Sequence, residues 1–247
     1  MTAEELLGIA DQLFPTGSEG RSLRLFGGLA CWRHCPKTRN LFNYRPKDID
    51  VFAPHVDMLP LTGRLKKLGF GFRMRETYKG GVAHRFEETT GSEVDVWVGS
   101  LKFNHRIPAD SRLKFDWPTL PLAELLATKL QIHKAEGKDL TDAVMLVAEH
   151  EVGEGDHETI NLEPLARMCR GDWGLWRNVR DNIDRATRLC AQASTSLSDE
   201  IAGNVNQRLD MIRRAIDASP KALRWHIGAL CGRRGCRYWY DVEEFRK

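Results

Sequence analysis

The chain has 247 residues, enough for one large hydrophobic core or two modest ones, and its 37 basic and 34 acidic side chains leave a net charge of +3. A net charge this small does not by itself indicate nucleic-acid binding, and no run approaches the ~18 apolar residues that a membrane span requires. Six cysteines without a secretory signal predict reduced thiols and a cytoplasmic protein.

The first part of the chain alternates short β-like runs with Gly and Pro, and the rest is mostly helical in period. In chain order, the pattern predicts a helix at 3–14, a strand at 22–26 running into a helix, a strand KDIDVF at 47–52, a helix from Asp57 to Leu68, a hairpin of FRMRETY and VAHRFEE, a strand EVDVWV at 93–98, and helices at 120–135, 140–150 and several between 162 and 218. We therefore expect an α/β (α+β) protein with a mixed-sheet domain at 1–118 and a helical domain at 119–247.

The strand KDIDVF carries two carboxylates in a segment that otherwise reads as buried. Because side chains alternate along a strand, Asp48 and Asp50 share one face while Ile49 and Val51 share the other. Two like charges on a rigid element favour a cation between or above them, and Mg²⁺ is the candidate. The alternative is a surface strand whose carboxylates face water.

A third carboxylate follows in EVDVWV, where Glu93, Asp95 and Trp97 share a face. If this strand lies beside KDIDVF, Asp95 joins the first two carboxylates. Such a site could hold two Mg²⁺ ions about 4 Å apart, which would activate a hydroxyl and stabilise a leaving pyrophosphate. Glu93 is an alternative ligand on the same face, although pairing with a surface Arg or Lys is the favoured interpretation.

Two further features have both a functional and a structural interpretation. Gly27 and Gly28, between a strand and a helix, would let backbone N–H groups approach phosphates, or would simply form a tight turn. Lys129 falls at the border of a helical apolar stripe, so it either reaches an anionic partner such as a triphosphate or extends to solvent. Asp139, with Asp142 three residues later, resembles a helix N-cap.

Taken in order, these features resemble the nucleotidyltransferase superfamily and, within it, the AbiEii-type group, whose members include bacterial toxins of toxin–antitoxin and phage-abortive systems. The resemblance covers roughly residues 20–148 and implies a nucleotidyltransferase-like mixed β-sheet domain followed by a helical domain. It is carried by LFGGLA (25–30), RPKDIDVF (45–52), EVDVWV (93–98), LLATKLQI (125–132) and GKDLTDAVML (137–146).

The resemblance also implies a reaction, the transfer of a nucleoside monophosphate from an NTP to a hydroxyl acceptor with release of pyrophosphate. It implies metal ligands at Asp48, Asp50 and Asp95, nucleotide contacts at Gly27, Gly28, Lys47 and Lys129, and a catalytic set of Asp48, Asp50, Asp95, Lys129 and Asp139. Asp95 would act as ligand or base, and Asp139 would complete the site or orient Lys129.

The acceptor and partners are open at this stage. An RNA end such as that of tRNA, or a protein hydroxyl, would suit a toxin with a cognate antitoxin. A small molecule of the aminoglycoside type would suit a resistance enzyme. A catalytically silent NTP-binding or RNA-binding module that keeps the fold is the alternative from another class.

Remaining candidates have structural explanations of comparable weight. Cys31, His34, Cys35, Cys231 and Cys236 could form a composite zinc site, although small buried cysteines explain them as well. The tail mixes cations with aromatic rings, the ingredients of an RNA-binding surface, or its rings dock it onto the core. The tail residues are Lys221, Arg224, Trp225, Arg233, Arg234, Arg237, Tyr238, Trp239 and Tyr240. Basic residues near the carboxylates either line an approach to the site or balance its charge; these are Lys37, Arg39, Arg45, Lys47, Arg73, Arg75, Lys79 and Arg85.

Overall fold

The computed structural model describes residues 1–14, 22–78, 81–192 and 197–233. The chain is of mixed α/β type and divides into two compact units, Met1–Pro121 and Leu122–Lys247, which are described separately. The sequence predicts a boundary after residue 118, where β-like patterning gives way to helical periodicity. No helix in the described ranges is both long enough and apolar enough to cross a bilayer.

The first unit begins with a helix whose N-terminus is closed by a capping box between Thr2 and Glu5. Its helices are α1 (Ala3–Leu13), α2 (Gly27–His34) and α3 (Met58–Lys67), and its strands are β1 (Arg24–Phe26), β2 (Asp48–Ala53), β3 (Gly71–Tyr78), β4 (Gly81–Glu87), β5 (Glu93–Val98), β6 (Leu101–Lys102) and β7 (Arg106–Ile107). Short 3-10 turns lie at Arg39–Leu41, His55–Asp57 and Asp110–Phe115.

Five of these strands form one mixed sheet in the order β1-β2-β5-β4-β3. Strands β2 and β5 are parallel neighbours, and the other pairs are antiparallel. On one face of the sheet the side chains of β2 and β5 are apolar and fully buried, with Ile49, Val51, Val94 and Val96 inaccessible to solvent. Helices α1 and α2 both contact β2. The two strands with carboxylates therefore lie side by side on a rigid support.

The second unit is mostly helical but contains a two-stranded parallel sheet that the sequence did not predict. Its elements are α4 (Leu122–Leu130), α5 (Lys138–Glu149), β8 (Glu151–Gly153), β9 (Thr159–Asn161), α6 (Leu162–Gly171), α7 (Trp173–Gln192), α8 (Asp199–Ala218) and α9 (Leu223–Arg233). Asn161 and Ser198 cap helices α6 and α8 by accepting hydrogen bonds from backbone N–H groups.

The predicted helix at 120–135 ends earlier, at Leu130, because tertiary hydrogen bonds override its apolar periodicity. The Asn182 amide on α7 donates to the carbonyl oxygens of Leu130 and Ile132, and its oxygen accepts from the N–H of Ala135. The chain therefore turns after Leu130. Helix α5 restarts at Lys138, with Gly137 at φ +51° in the N-cap position.

Candidate carboxylate site

Four carboxylates of β2 and β5 lie on one face of the five-stranded sheet. Asp48 is the register partner of Glu93 and Asp50 that of Asp95, and register partners on neighbouring strands point to the same side. Adjacent strands are about 4.8 Å apart, so Asp50 and Asp95 are immediate neighbours. The structure thus places the three predicted metal ligands on one face of two adjacent strands, all of them half-buried.

Gly27 lies against the Asp50 carboxylate. The glycine has φ +73°, and a Cβ added to it would lie 1.9 Å from Oδ2 of Asp50. Phe26, the residue before it, is the register partner of Asp50 across β1 and β2. A glycine is required here for two reasons, since the backbone conformation disfavours other residues and the carboxylate fills the space of a side chain. Gly28 is buried in the first turn of α2.

Asp95 has a strong partner on the next strand. Arg85 of β4 is its register partner and donates two hydrogen bonds, from Nε to Oδ1 at 2.8 Å and from Nη2 to Oδ2 at 2.9 Å. Arg85 Nε also lies 3.7 Å from Oε2 of Glu93, which gives Glu93 the basic partner that the sequence predicts. The hydrogen bonds to Asp95 raise the pKa of Arg85 above its ordinary value.

The contact between Arg85 and Asp95 affects which cation the carboxylate face of β2 and β5 could hold. In the part of the chain that the structure describes, no three His, Cys, Asp or Glu side chains are grouped so as to hold a metal ion by themselves. Both Asp95 oxygens accept hydrogen bonds from the cationic Arg85, whereas Asp48 and Asp50 lie on β2, one strand further from this guanidinium. Mg²⁺ is commonly held by one or two carboxylates together with substrate phosphates. The donor set therefore fits one Mg²⁺ ion when a phosphorylated substrate supplies further oxygens.

Aromatic rings adjoin the carboxylates at one end of the same face. Trp97 follows Asp95 on this face and packs on Phe103 with ring centroids 4.4 Å apart. Phe103 in turn contacts Phe26 at 6.0 Å. The sequence placed Trp97 on the carboxylate face, but it gave no reason to expect Phe103 beside it.

Lys129 lies in the second unit, in a buried cluster with Asp139 and Asp142. Its Nζ is 2.8 Å from Oδ2 of Asp142 and 3.4 Å from Oδ1 of Asp139, and its side chain is 8% exposed. Burial raises the pKa of Asp142 to about 6, although the positive charge of Lys129 acts in the opposite direction. Lys129 therefore has anionic partners within its own unit, and its predicted contact with a triphosphate stays a prediction.

The predicted N-cap at Asp139 is wrong. Gly137 takes the N-cap position without a side-chain hydrogen bond, and Asp139 lies inside the first turn of α5, where its carboxylate contacts Lys129. Its charge there is also favourable for the helix dipole. The alternative prediction, that Asp139 orients Lys129, agrees with this contact.

A pair of asparagines on α7 fixes the turn between the lysine and the two aspartates. Asn182 binds the backbone of residues 130, 132 and 135, and Asn178 donates to the carbonyl oxygen of Gln131. Both side chains are almost wholly buried. No local pattern predicts this contact, because the asparagines lie more than forty residues from the turn.

Two arginines of the basic loop before β2 pack against a buried aromatic ring. The guanidinium groups of Arg39 and Arg45 lie 5.1 and 4.6 Å from the ring centroid of the buried Trp32. Lys47 is exposed at the start of β2, next to Asp48, and its predicted role in nucleotide binding stays a prediction.

His84 packs edge-on against Phe72, and burial together with Arg75 lowers its pKa.

The cysteine and tail predictions fall partly outside the described residues. Cys31 and Cys35 are buried in the first unit and Cys231 is exposed on α9 of the second, while Cys236 is not described. Trp225 on α9 packs on Trp176 at 5.2 Å, so this part of the tail docks on its own unit. Lys79, Arg234, Arg237, Tyr238, Trp239 and Tyr240 lie outside the described residues.

No family model matches the chain, and comparisons with curated proteins and with solved structures give no match either. The function must therefore be inferred from the residues themselves and from their geometry.

Proposed function

We propose that the protein is a Mg²⁺-dependent nucleotidyltransferase that moves a nucleoside monophosphate from an NTP to a hydroxyl acceptor. One observation carries the proposal: the backbone at Gly27 lies against the Asp50 carboxylate, with Asp48 on the same face and Asp95 on the neighbouring strand. A glycine turn beside paired carboxylates combines a phosphate-approach element with hard metal ligands. The mixed sheet supports the proposal because β2 and β5, the strands that carry the carboxylates, are parallel neighbours in it.

The chemistry assigns a task to each group. The acceptor oxygen forms a bond to the α-phosphorus, the bond from that phosphorus to the bridging oxygen breaks, pyrophosphate leaves, and the acceptor proton passes to solvent. Mg²⁺, when bound, would neutralise phosphate charge and make the acceptor hydroxyl more acidic. Asp48 and Asp50 would hold the ion, and the turn at Gly27 and Gly28 would let backbone N–H groups approach the triphosphate.

The acceptor is proposed from the sequence resemblance alone. An RNA end, with tRNA as the first candidate, or a protein hydroxyl would make the chain the toxin of a toxin–antitoxin pair. Aminoglycoside-type acceptors are the enzymatic alternative.

A specific contact favours a second candidate function. Because Arg85 occupies both oxygens of Asp95, the face offers fewer metal ligands than a two-metal enzyme requires. A module that binds NTP without transferring it would tolerate this arrangement.

An Asp50→Asn variant separates these functions, since the amide keeps the shape of the side chain beside Gly27 and removes its charge. Purified protein is incubated with each α-labelled NTP, Mg²⁺ and either total tRNA or aminoglycosides. We expect label in RNA with the unmodified chain and with Asp110→Asn, a surface control in the same unit, and at least a hundredfold less with Asp50→Asn.

Other outcomes point elsewhere. Label on aminoglycosides alone would support the resistance enzyme, and NTP binding without transfer would support the silent module. Growth arrest on expression that Asp50→Asn abolishes would support a toxin, and normal growth with full transfer activity would contradict it.

A further inference from the structure

Arg85 stands in a row of residues that crosses the sheet at the level of the proposed site. In strand order this row reads Phe26, Asp50, Asp95, Arg85 and Met74, each being the register partner of the next. All five side chains therefore point to the same face. The guanidinium lies on the opposite side of Asp95 from Asp50 and supplies a fixed positive charge beside the third carboxylate of the proposed site.

The contacts of Arg85 hold it firmly in this place. Its fork binds both oxygens of Asp95, a planar bidentate geometry that a lysine ammonium cannot reproduce. Glu93 supplies a second carboxylate from the same strand. The Arg85 side chain is nevertheless 31% exposed, and a guanidinium has five N–H donors, of which two are used by Asp95. The group is fixed but retains donors for an incoming anion.

A metal ion at Asp95 would compete directly with this contact. The ion would have to displace a charge-assisted hydrogen bond or share an Asp95 oxygen with it, and in either case it would lie beside the like charge of the guanidinium. Guanidinium groups, unlike metal ions, do not dissociate from the site and stay charged at every physiological pH. They also bind phosphate oxygens in the same forked manner as carboxylates.

We propose that Arg85 takes the place of a second metal ion, so that the nucleotide-bound chain holds one divalent cation, at Asp48 and Asp50, while Arg85 binds the nucleotide phosphates. The inference rests on the proposed nucleotidyltransferase function and specifies which positive charges the site contains. Asp95 is then a positioning residue for Arg85 rather than a metal ligand.

Manganese counting by electron paramagnetic resonance tests this assignment without relying on turnover. The chain is titrated with Mn²⁺ in the presence of each α,β-methylene NTP, which cannot donate its nucleoside monophosphate. We expect one bound Mn²⁺ per nucleotide-bound chain in the unmodified protein and in Arg85→Lys, and two in Arg85→Gln, where Asp95 is released. Arg85→Gln/Asp95→Asn should return to one.

Arg75→Gln is the matched control, because Arg75 lies on the same hairpin but pairs with His84 and so points to the opposite face. At a Mn²⁺ concentration that fills a single site, Arg85→Gln should weaken nucleotide binding about tenfold or more, and Arg75→Gln should change it less than twofold. If the Arg85–Asp95 pair is purely structural, Arg85→Gln should lower the melting temperature of the chain but change neither the number of bound Mn²⁺ ions nor the nucleotide affinity.

The possible failures are distinguishable. Two ions in the unmodified chain, or one ion with unchanged nucleotide affinity in Arg85→Gln, would overturn the role of Arg85 while transfer of label to an acceptor could still support the enzyme. If Arg85→Gln does not fold, the ion count of the unmodified chain decides alone. No nucleotide-dependent Mn²⁺ binding and no transfer would overturn both proposals.

Discussion

Replacing Gly27 with alanine tests whether the Asp50 carboxylate is held against the glycine turn. The substitution introduces two separate costs. An alanine at φ +73° is destabilised by about 1–2 kcal/mol in this left-handed conformation. The new Cβ would also lie 1.9 Å from Oδ2 and 2.8 Å from Cγ of Asp50, an overlap of the kind that costs about 1–3 kcal/mol. We therefore expect Gly27→Ala to lose about 2–5 kcal/mol of unfolding free energy.

Two glycines of the same unit separate these costs. Gly69 has φ +90° with open space around it, so Gly69→Ala should show only the backbone cost, about 1–2 kcal/mol. Gly63 lies inside helix α3 with nothing near its added Cβ, and Gly63→Ala should stabilise the unit by about 0.5–1 kcal/mol. Urea unfolding measures each change, and hydrogen exchange of β1 and β2 amides assigns it to the first unit.

A double-mutant cycle isolates the contact itself. In an Asp50→Ala background the Oδ2 and Cγ atoms are absent and only the Asp50 Cβ, 3.0 Å from the added Cβ, remains. The cost of Gly27→Ala should therefore fall towards that of Gly69→Ala, a coupling of about 1–3 kcal/mol. If Gly27→Ala costs no more than Gly69→Ala in the unmodified chain, the Asp50 carboxylate swings aside freely. That result would refute the claim that the glycine turn fixes the carboxylate.

Three further predictions concern the second unit. Lys129→Met should destabilise it by about 3–5 kcal/mol in urea unfolding, because Asp139 and Asp142 stay buried without their cation; a loss below 1 kcal/mol would contradict this role. The folded-state pKa of Asp142, about 6, lies above the ordinary value of 3.8, so between these pH values the folded chain binds a proton that the unfolded chain has released; the contribution of Asp142 to stability should therefore increase as the pH falls from 7 to 4, and Asp142→Asn should remove it. Equal pH profiles for the two chains would contradict it. Asn182→Ala should cost about 2–4 kcal/mol through lost backbone hydrogen bonds, whereas Asn206→Ala, on an exposed position of α8, should cost under 0.5 kcal/mol.

Local patterning was sufficient to predict the three helices and the five strands of the main sheet in the first unit, but not the short strands β6 and β7 or the 3-10 turns. Strict alternation in EVDVWV predicted a valine face and a face with Glu93, Asp95 and Trp97, and in the structure the first is buried and the second half-buried. Glycine punctuation predicted the junction between β1 and α2 as well as the β3–β4 hairpin. These signals are local because side-chain period and turn conformation depend on neighbouring residues.

The neighbours within the sheet could not be predicted in the same way. The parallel pairing of β2 and β5 joins segments that the β3–β4 hairpin separates, and no local feature of either strand specifies it. For the same reason the sequence shows that Arg85 shares a face with Ala83 and Glu87, but not that it lies opposite Asp95. The Arg85–Asp95 ion pair, which most alters the metal prediction, could therefore not be predicted from the sequence.

The early end of α4 shows the opposite case, in which a local pattern was clear but tertiary contacts overrode it. Apolar periodicity through residue 135 favours one continuous helix, yet Asn182 stabilises a turn by donating two hydrogen bonds to this segment and accepting one from it. Local propensity contributes a few tenths of a kcal/mol per residue, which is less than a buried asparagine loses when its partners are removed. The helix therefore ends where the asparagine binds it.

The buried cluster around Lys129 and the carboxylates on the sheet face should respond differently to an added cation. Around Lys129 the carboxylates are buried beside a lysine within hydrogen-bonding range, an arrangement that apolar residues of similar volume often match in stability. On the sheet face the carboxylates are half-exposed. The guanidinium of Arg85 on β4 lies beside Glu93 and Asp95 on β5. Asp48 and Asp50 on β2 are one strand further from this guanidinium. Like charges held on adjacent positions of a rigid sheet repel one another and gain from an added cation. Cation binding should therefore stabilise the first unit through Asp48 and Asp50 more than it affects the second.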